Sequence, residues 1–284
     1  MPNINGSPPD MGHYAASQRA AHQILDNPKI FEDPFALRII GAEAESRLRS
    51  GLAQFQKPAE RDLRAFMAVR NRYAEDELAR SIQRGVRQYV ILGAGLDTFA
   101  YRNRFPLLRV FEVDHPATQA WKRRRLEEAA IPIPASVTFV SVDFGRQMVT
   151  DALGQSGFKG DELTFISWLG VVRYLNRDAF ISVLSSIVSS MRAGSEVVLD
   201  FCLLPSPLQR LRQLAHRTIE NWTFKNNGFR PTYYDPASLT CDVKRIGFAD
   251  VQIFGPTEMN ARYCRDREDG LRVPHRLCLV KARV

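Results

Sequence analysis

The sequence predicts an α/β fold, a Rossmann-like and mostly parallel sheet of seven strands with helices on both faces. Three observations lead there. From Gln88 onward, short apolar runs alternate with helical patterns, the rhythm of repeated βαβ units. The first run enters a glycine turn, "YVILGAGLDTFAYR" (89–102). The second closes on two carboxylates, "RVFEVDHP" (109–116).

The elements follow in order. Met1 to Gly12 is polar and rich in Pro and Gly, without the basic start and apolar run of a signal peptide. It reads as a flexible lead-in to a cytoplasmic protein. Tyr14 to Ile40 is helical, broken at Asn27-Pro28 and Asp33-Pro34, because proline restricts the residue before it. A second helical segment runs from Ala59 to Arg84, with Leu63, Phe66, Met67 and Val69 as its apolar stripe and Gly85 as its stop. Residues 1–84 thus form an N-terminal helical extension to a core of residues 85–284.

In that core the strand candidates are Gln88–Leu92, Arg109–Val113, Val137–Ser141, Leu163–Ser167, Glu196–Phe201, Val251–Phe254 and Arg276–Lys281. Helical patterns occupy Pro116–Ala130, Arg177–Met191 and Pro236–Ile246. A Gly/Pro-punctuated segment separates the last two strands and allows an antiparallel finish. Residues 204–235 exceed a minimal repeat. As an insertion after the fifth strand they would overhang the carboxyl ends of the strands, where open α/β sheets bind ligands, and they read as a substrate lid.

Bulk properties narrow the function classes. A chain of 284 residues, 45% apolar and 25% charged, has the composition of a globular protein. No apolar run reaches the ~18 residues that span a bilayer. The net charge of +8 is spread along the chain; its densest run, Lys122 to Arg125, precedes Glu127 and Glu128 and suits the solvated face of a helix. No nucleic-acid module is evident. Cys202, Cys241, Cys264 and Cys278 form no CxxC pair, and the five histidines lack metal-ligand spacing, so neither a disulfide framework nor a metal is expected.

The chemistry gathers at the strand ends. Gly93, Ala94 and Gly95 let backbone come close to a ligand. Thr98 stands where a dinucleotide fingerprint has its third glycine. Asp97 near a helix start would repel a pyrophosphate but suits a cationic ligand such as S-adenosylmethionine; it also suits a helix N-cap. Glu112 and Asp114 lie on one strand face, and Asp114, nearer the end, is placed to hold a ribose diol. Carboxylates in a buried strand otherwise need partners. Asp143 and Phe144 close the third strand, where an acid beside an aromatic could read an adenine amino group and cover its ring.

"GAGLDTFAYR", "FEVDHP", "VDF" and "SWLGVVRYL" together resemble the class I S-adenosylmethionine-dependent methyltransferases. More narrowly the chain is similar to the leucine carboxyl methyltransferase-like family and its bacterial branch of secondary-metabolite and polyketide O-methyltransferases. The likeness extends to "SQRA…FEDPFA", "AVRNRYAED" and "GFADVQIFGPTEMNARY…REDGLR", nearly the whole chain. It implies that Arg70 in "AVRNRYAED" binds the carboxylate of the cofactor, with Arg19 a second basic group in the N-terminal segment; Arg72, two residues on, would point to another helix face. It assigns Asp114 to the ribose, and Asp143 with Phe144 to the adenine. The phosphatase-methylating members carry an acid before the glycine after the fourth strand; here Leu169 precedes Gly170, which fits the bacterial branch.

The expected reaction is in-line methyl transfer to a carboxyl or hydroxyl oxygen of a small molecule, driven by proximity. Arg173, Tyr174, Arg262 and Tyr263 are the candidates near the acceptor. The sequence offers no evident general base, which favours a carboxylate acceptor or catalysis by positioning. Two other readings stay open: an NAD(P)-dependent oxidoreductase, opposed by Asp97 and Thr98, and a non-catalytic cofactor-binding or regulatory protein.

Overall fold

A computed structural model describes residues 10–143, 147–204 and 232–284. Five helices come first: α1 (Asp10–Leu25), α2 (Ala36–Ile40), α3 (Ala42–Ser50), α4 (Leu52–Phe55) and α5 (Pro58–Gln83). Pro58 opens α5 at a position where no N–H is needed. Then follow β1 (Gln88–Leu92), β2 (Arg109–Asp114), α6 (Pro116–Glu128), β3 (Val137–Ser141), α7 (Val149–Gln155), β4 (Thr164–Trp168), α8 (Arg177–Ser189) and β5 (Glu196–Leu203). The chain closes with β6 (Tyr233–Tyr234), α9 (Pro236–Ile246), β7 (Asp250–Phe254), α10 (Pro256–Tyr263) and β8 (Leu277–Arg283).

The sheet has eight strands in the order β3-β2-β1-β4-β5-β8-β7, with the two-residue β6 pairing β5 to one side. Seven strands are those expected from the sequence; β6 is the addition. Strands β3 to β5 of that order are mutually parallel, and β8 runs antiparallel between β5 and β7. The antiparallel finish is therefore real. The chain reverses its direction of travel across the sheet between β1 and β4, so the crevice at their carboxyl ends is where this architecture admits ligands.

β1 shows why the sheet is covered on both faces. Tyr89 and Ile91 enter one core with α1, α2, α3, α5 and α6, whereas Val90 and Leu92 enter a second core with α7, α8 and α9. The period of two along a strand divides its apolar residues between the two cores. Fully buried Phe165 and Phe180 anchor one core each, and burying such a side chain contributes about 2–3 kcal/mol.

Three differences from the sequence reading have physical causes. α3, α4, α7 and α10 were not expected, because they are short and three of them are rich in polar residues. No α-helix follows the glycine turn; only a 3-10 turn at Phe99–Tyr101 intervenes before β2. The run Lys122 to Arg125 is not uniformly solvated. Arg123 and Arg124 are exposed, but Lys122 is buried and its Nζ lies 2.7 Å from Glu112 Oε2. Glu112, fully buried in β2, required such a partner. The expected lid, 204–235, falls almost wholly outside the described residues.

Candidate active site

The loop after β1 is built on backbone bonds to its neighbour. The N–H groups of Gly93 and Ala94 both donate to the Val113 carbonyl, at 2.8 and 3.1 Å. Gly93 has φ +69° and Gly95 φ +43°, the left-handed region that glycine enters without a Cβ clash. The two glycines serve different ends. A Cβ on Gly93 would lie 2.5 Å from Val171 Cγ2, so Gly93 lets the loop after β1 pack on the loop after β4. A Cβ on Gly95 would meet only the Gly93 carbonyl oxygen at 4.0 Å, so that residue faces open space.

Asp114 closes the loop from β2. Its Oδ2 accepts the Gly95 N–H at 2.7 Å and its Oδ1 the His115 N–H at 2.7 Å. Burial pushes its pKa above the ordinary aspartate value. The two backbone bonds, the Lys122 charge and Thr118 oppose that rise. Beside it, Val142 donates its N–H to the Asp114 carbonyl at 2.9 Å, which brings the half-buried Asp143 to the same strand ends. Phe144 lies outside the described residues. Asp97 turns its Oδ1 to the Phe99 N–H at 2.8 Å, an Asx turn into the 3-10 segment.

Across the switch point a second group forms from α5, β4 and β5. Arg70, buried on α5, places Nη1 3.0 Å from Asp200 Oδ2. Asp200 Oδ1 accepts the Gly170 N–H at 2.6 Å. Gly170 has φ +74°, and a Cβ there would lie 2.9 Å from Arg70 Nη1, so the guanidinium sits directly against this glycine. Arg70 Nε is buried without a hydrogen-bond partner among the described residues. Arg72 points elsewhere, to Asp76 at 2.8 Å on the exposed face.

Arg173 and Tyr174 follow Gly170 in a 3-10 turn, and the Arg173 guanidinium carbon lies 5.4 Å from the Tyr174 ring centroid. Burial pulls the Arg173 pKa down, but Cys202, Tyr174 and Asp200 raise it further, so it stays cationic. Burial raises both the Tyr174 hydroxyl and the Cys202 thiol. Arg173 Nε is also buried without a partner among the described residues. Arg262 and Tyr263, on α10, meet another part of α5. Tyr263 OH donates to Asp76 Oδ2 at 2.9 Å and Arg262 reaches the same oxygen at 3.4 Å.

The sequence reading missed Asp200. Its signal was present: a lone acid inside the apolar strand "VVLDFC" must have a partner. Among the described residues no cluster of three His, Cys, Asp or Glu could hold a metal. No described helix is long and apolar enough to cross a membrane.

Residues 13–188 match the leucine carboxyl methyltransferase family. The chain belongs to that family. Relatives of known sequence extend the match. YktD of Bacillus subtilis (strain 168), provisionally named an S-adenosyl-L-methionine-dependent methyltransferase, is 36% identical over 209 residues, 66% of this chain and 68% of that protein. A Mycobacterium marinum protein with the same provisional description is 32% identical over 214 residues, 73% of this chain and 70% of its own. Among solved structures, one from Thermobifida fusca, provisionally described as a methyltransferase, superposes with a TM-score of 0.58. It is 16% identical, with 99% of this chain and 96% of that chain covered. This family member therefore has the class I methyltransferase fold, and its family and relatives give its activity, methyl transfer from S-adenosylmethionine.

Proposed function

We propose that this methyltransferase acts on an oxygen of a small molecule, with a carboxylate as the favoured acceptor and a hydroxyl as the variant. The observation that carries this reading is the half-buried Arg173 cation, whose buried Nε has no hydrogen-bond partner among the described residues, next to Tyr174 and Cys202, whose pKa values burial raises. Such surroundings attract an anion, and the Asp200 carboxylate beside them is already taken up by Arg70 and the Gly170 N–H. A carboxylate is both anionic and already deprotonated, so it needs no base. The family's name points to the same acceptor chemistry.

The residues fit the cofactor. Arg70 has a spare buried donor for a carboxylate, Gly95 borders open space, and Asp114 places a half-buried carboxylate at the strand end. In this reading Arg70 pairs with the carboxylate of the methionine part, and Gly93, Ala94, Gly95 and Asp97 form the wall beside it. Asp114 takes the ribose hydroxyls, and Asp143 with Phe144 receives the adenine. When bound, S-adenosylmethionine supplies an already activated methyl group. The chain's own work is then to orient the acceptor and exclude water. Residues 1–84 supply Arg70 to this site. Arg262 and Tyr263 act in this reading as a clasp between α10 and α5, since Asp76 engages both.

The test is methyl transfer from labelled S-adenosylmethionine to a panel of small carboxylic acids, phenols and alcohols. Label that mild alkali releases as methanol marks a carboxyl ester. Transfer to phenols alone would overturn the carboxylate preference, and no transfer to any oxygen acceptor would overturn the reading.

A further inference from the structure

We propose that Thr98 and Asp33 are positioning residues for the cofactor site, holding the Gly93–Thr98 loop to the N-terminal helices so that Gly95 meets Asp114. The proposal rests on the reading above that Gly95 and Asp114 border the cofactor.

Thr98 Oγ1 donates to Asp33 Oδ2 at 2.7 Å, and Arg19 Nε donates to the same oxygen at 3.1 Å. Arg19 Nη2 reaches past Asp33 to the Leu96 carbonyl at 2.6 Å. Arg102 Nε donates to Thr98 Oγ1 at 3.3 Å, and its Nη1 bonds Glu75 Oε2 on α5 at 2.8 Å. The Asp33 side chain is fully buried, Thr98 is 1% exposed and Arg19 7%.

Two charged residues from outside the β1–β2 unit thus fix the far half of the loop. The near half is fixed by the Val113 carbonyl. Gly95 lies between the two anchors, at φ +43°, with its N–H on Asp114 at 2.7 Å, so both anchors bear on that contact. A threonine therefore stands in place of a third glycine for a structural reason. That glycine would let a helix pack closely on its strand; here no α-helix follows, and the position supplies a hydroxyl to a buried carboxylate instead. Hydrogen bonds to charged, water-excluded partners are the strong ones, so this tie restrains the loop more than a surface contact would.

Thr98→Val keeps the side-chain shape and removes the hydroxyl; Thr98→Ser keeps the hydroxyl. Each is titrated with S-adenosylhomocysteine by calorimetry, well below its melting temperature, beside Arg19→Lys and Asp114→Ala. The expected result is about tenfold weaker binding for Thr98→Val and Arg19→Lys, and near wild-type binding for Thr98→Ser. A wild-type Kd for Thr98→Val while Asp114→Ala binds weakly would overturn the positioning role and leave the cofactor reading standing. An unchanged Kd for Asp114→Ala would overturn that reading and this proposal with it. Failure of both Thr98→Val and Arg19→Lys to fold would make the contacts purely structural and would also overturn the proposal.

Discussion

Asp114 holds the Gly95 N–H at 2.7 Å, so a single charged hydrogen bond joins the ends of β1 and β2. Removing it frees the Gly95 N–H and deletes the carboxylate at once. Asp114→Ala is expected to weaken S-adenosylhomocysteine binding about tenfold or more, read by calorimetry. Unchanged affinity would remove Asp114 from the site.

The same carboxylate sets a pH dependence. Burial lifts its pKa above the ordinary 3.8, ahead of the backbone bonds and Lys122 that lower it. Protonation would replace an acceptor oxygen with a hydroxyl. Cofactor affinity should therefore fall as pH drops, with its midpoint above the ordinary aspartate range. Titrations across the acidic range check this, and the limb should be absent in Asp114→Asn.

Arg70 and Asp200 form a buried pair, so breaking it strands a charge. Arg70→Ala should lower stability by about 3 kcal/mol in urea denaturation and weaken cofactor binding. Arg70→Lys keeps the charge but not the planar fork. It should lose less stability than the alanine variant and still bind the cofactor less tightly.

The two loop glycines should fail in different ways. Gly93→Ala drives a Cβ to within 2.5 Å of Val171 and strains φ +69°, so it should destabilise the fold by about 1–3 kcal/mol. Gly95→Ala meets no close neighbour and should cost about 1 kcal/mol in stability. Its main effect should be on binding, because the added methyl faces the open side. Melting curves and calorimetry on both variants separate these outcomes.

Away from the site, Asp26 governs acid stability. It accepts two bonds from Arg64, at 2.7 and 2.9 Å, and one from His22 at 2.7 Å. Burial raises its pKa, but these partners outweigh burial and bring it below 3.8. The stabilisation is present above 3.8 and lost as pH falls through the lowered value. Asp26→Asn should cost about 3–5 kcal/mol near neutral pH, and its deficit against the wild type should shrink in strong acid.

Legibility followed the physics of each segment. β1, β3 and α9 lie within the bounds read from the sequence, because glycine or proline punctuates clear apolar runs there. α3, "AEAESRLRS", was invisible because only Ala44 and Leu48 are buried in it. Gly93 to Asp97 and Asp114 stand out in the sequence as glycines and acids, and the structure puts them at the ends of β1 and β2. Asp200, Gly170 and Asp33 do not stand out, since their partners lie far off in sequence: 130 residues separate Arg70 from Asp200. Which lysine or arginine of a basic run turns inward is likewise set by a distant carboxylate, as Glu112 does for Lys122.

β8 lies between β5 and β7 although it follows both in the chain. On the ribosome β1 to β5 are made first, and β5 then presents an open row of N–H and C=O groups on the side that β8 will take. β7 has no neighbour to pair with until β8 arrives. A nascent chain stalled before residue 277 would thus carry two sticky margins. Chaperone dependence should be concentrated in the interval before β8 emerges.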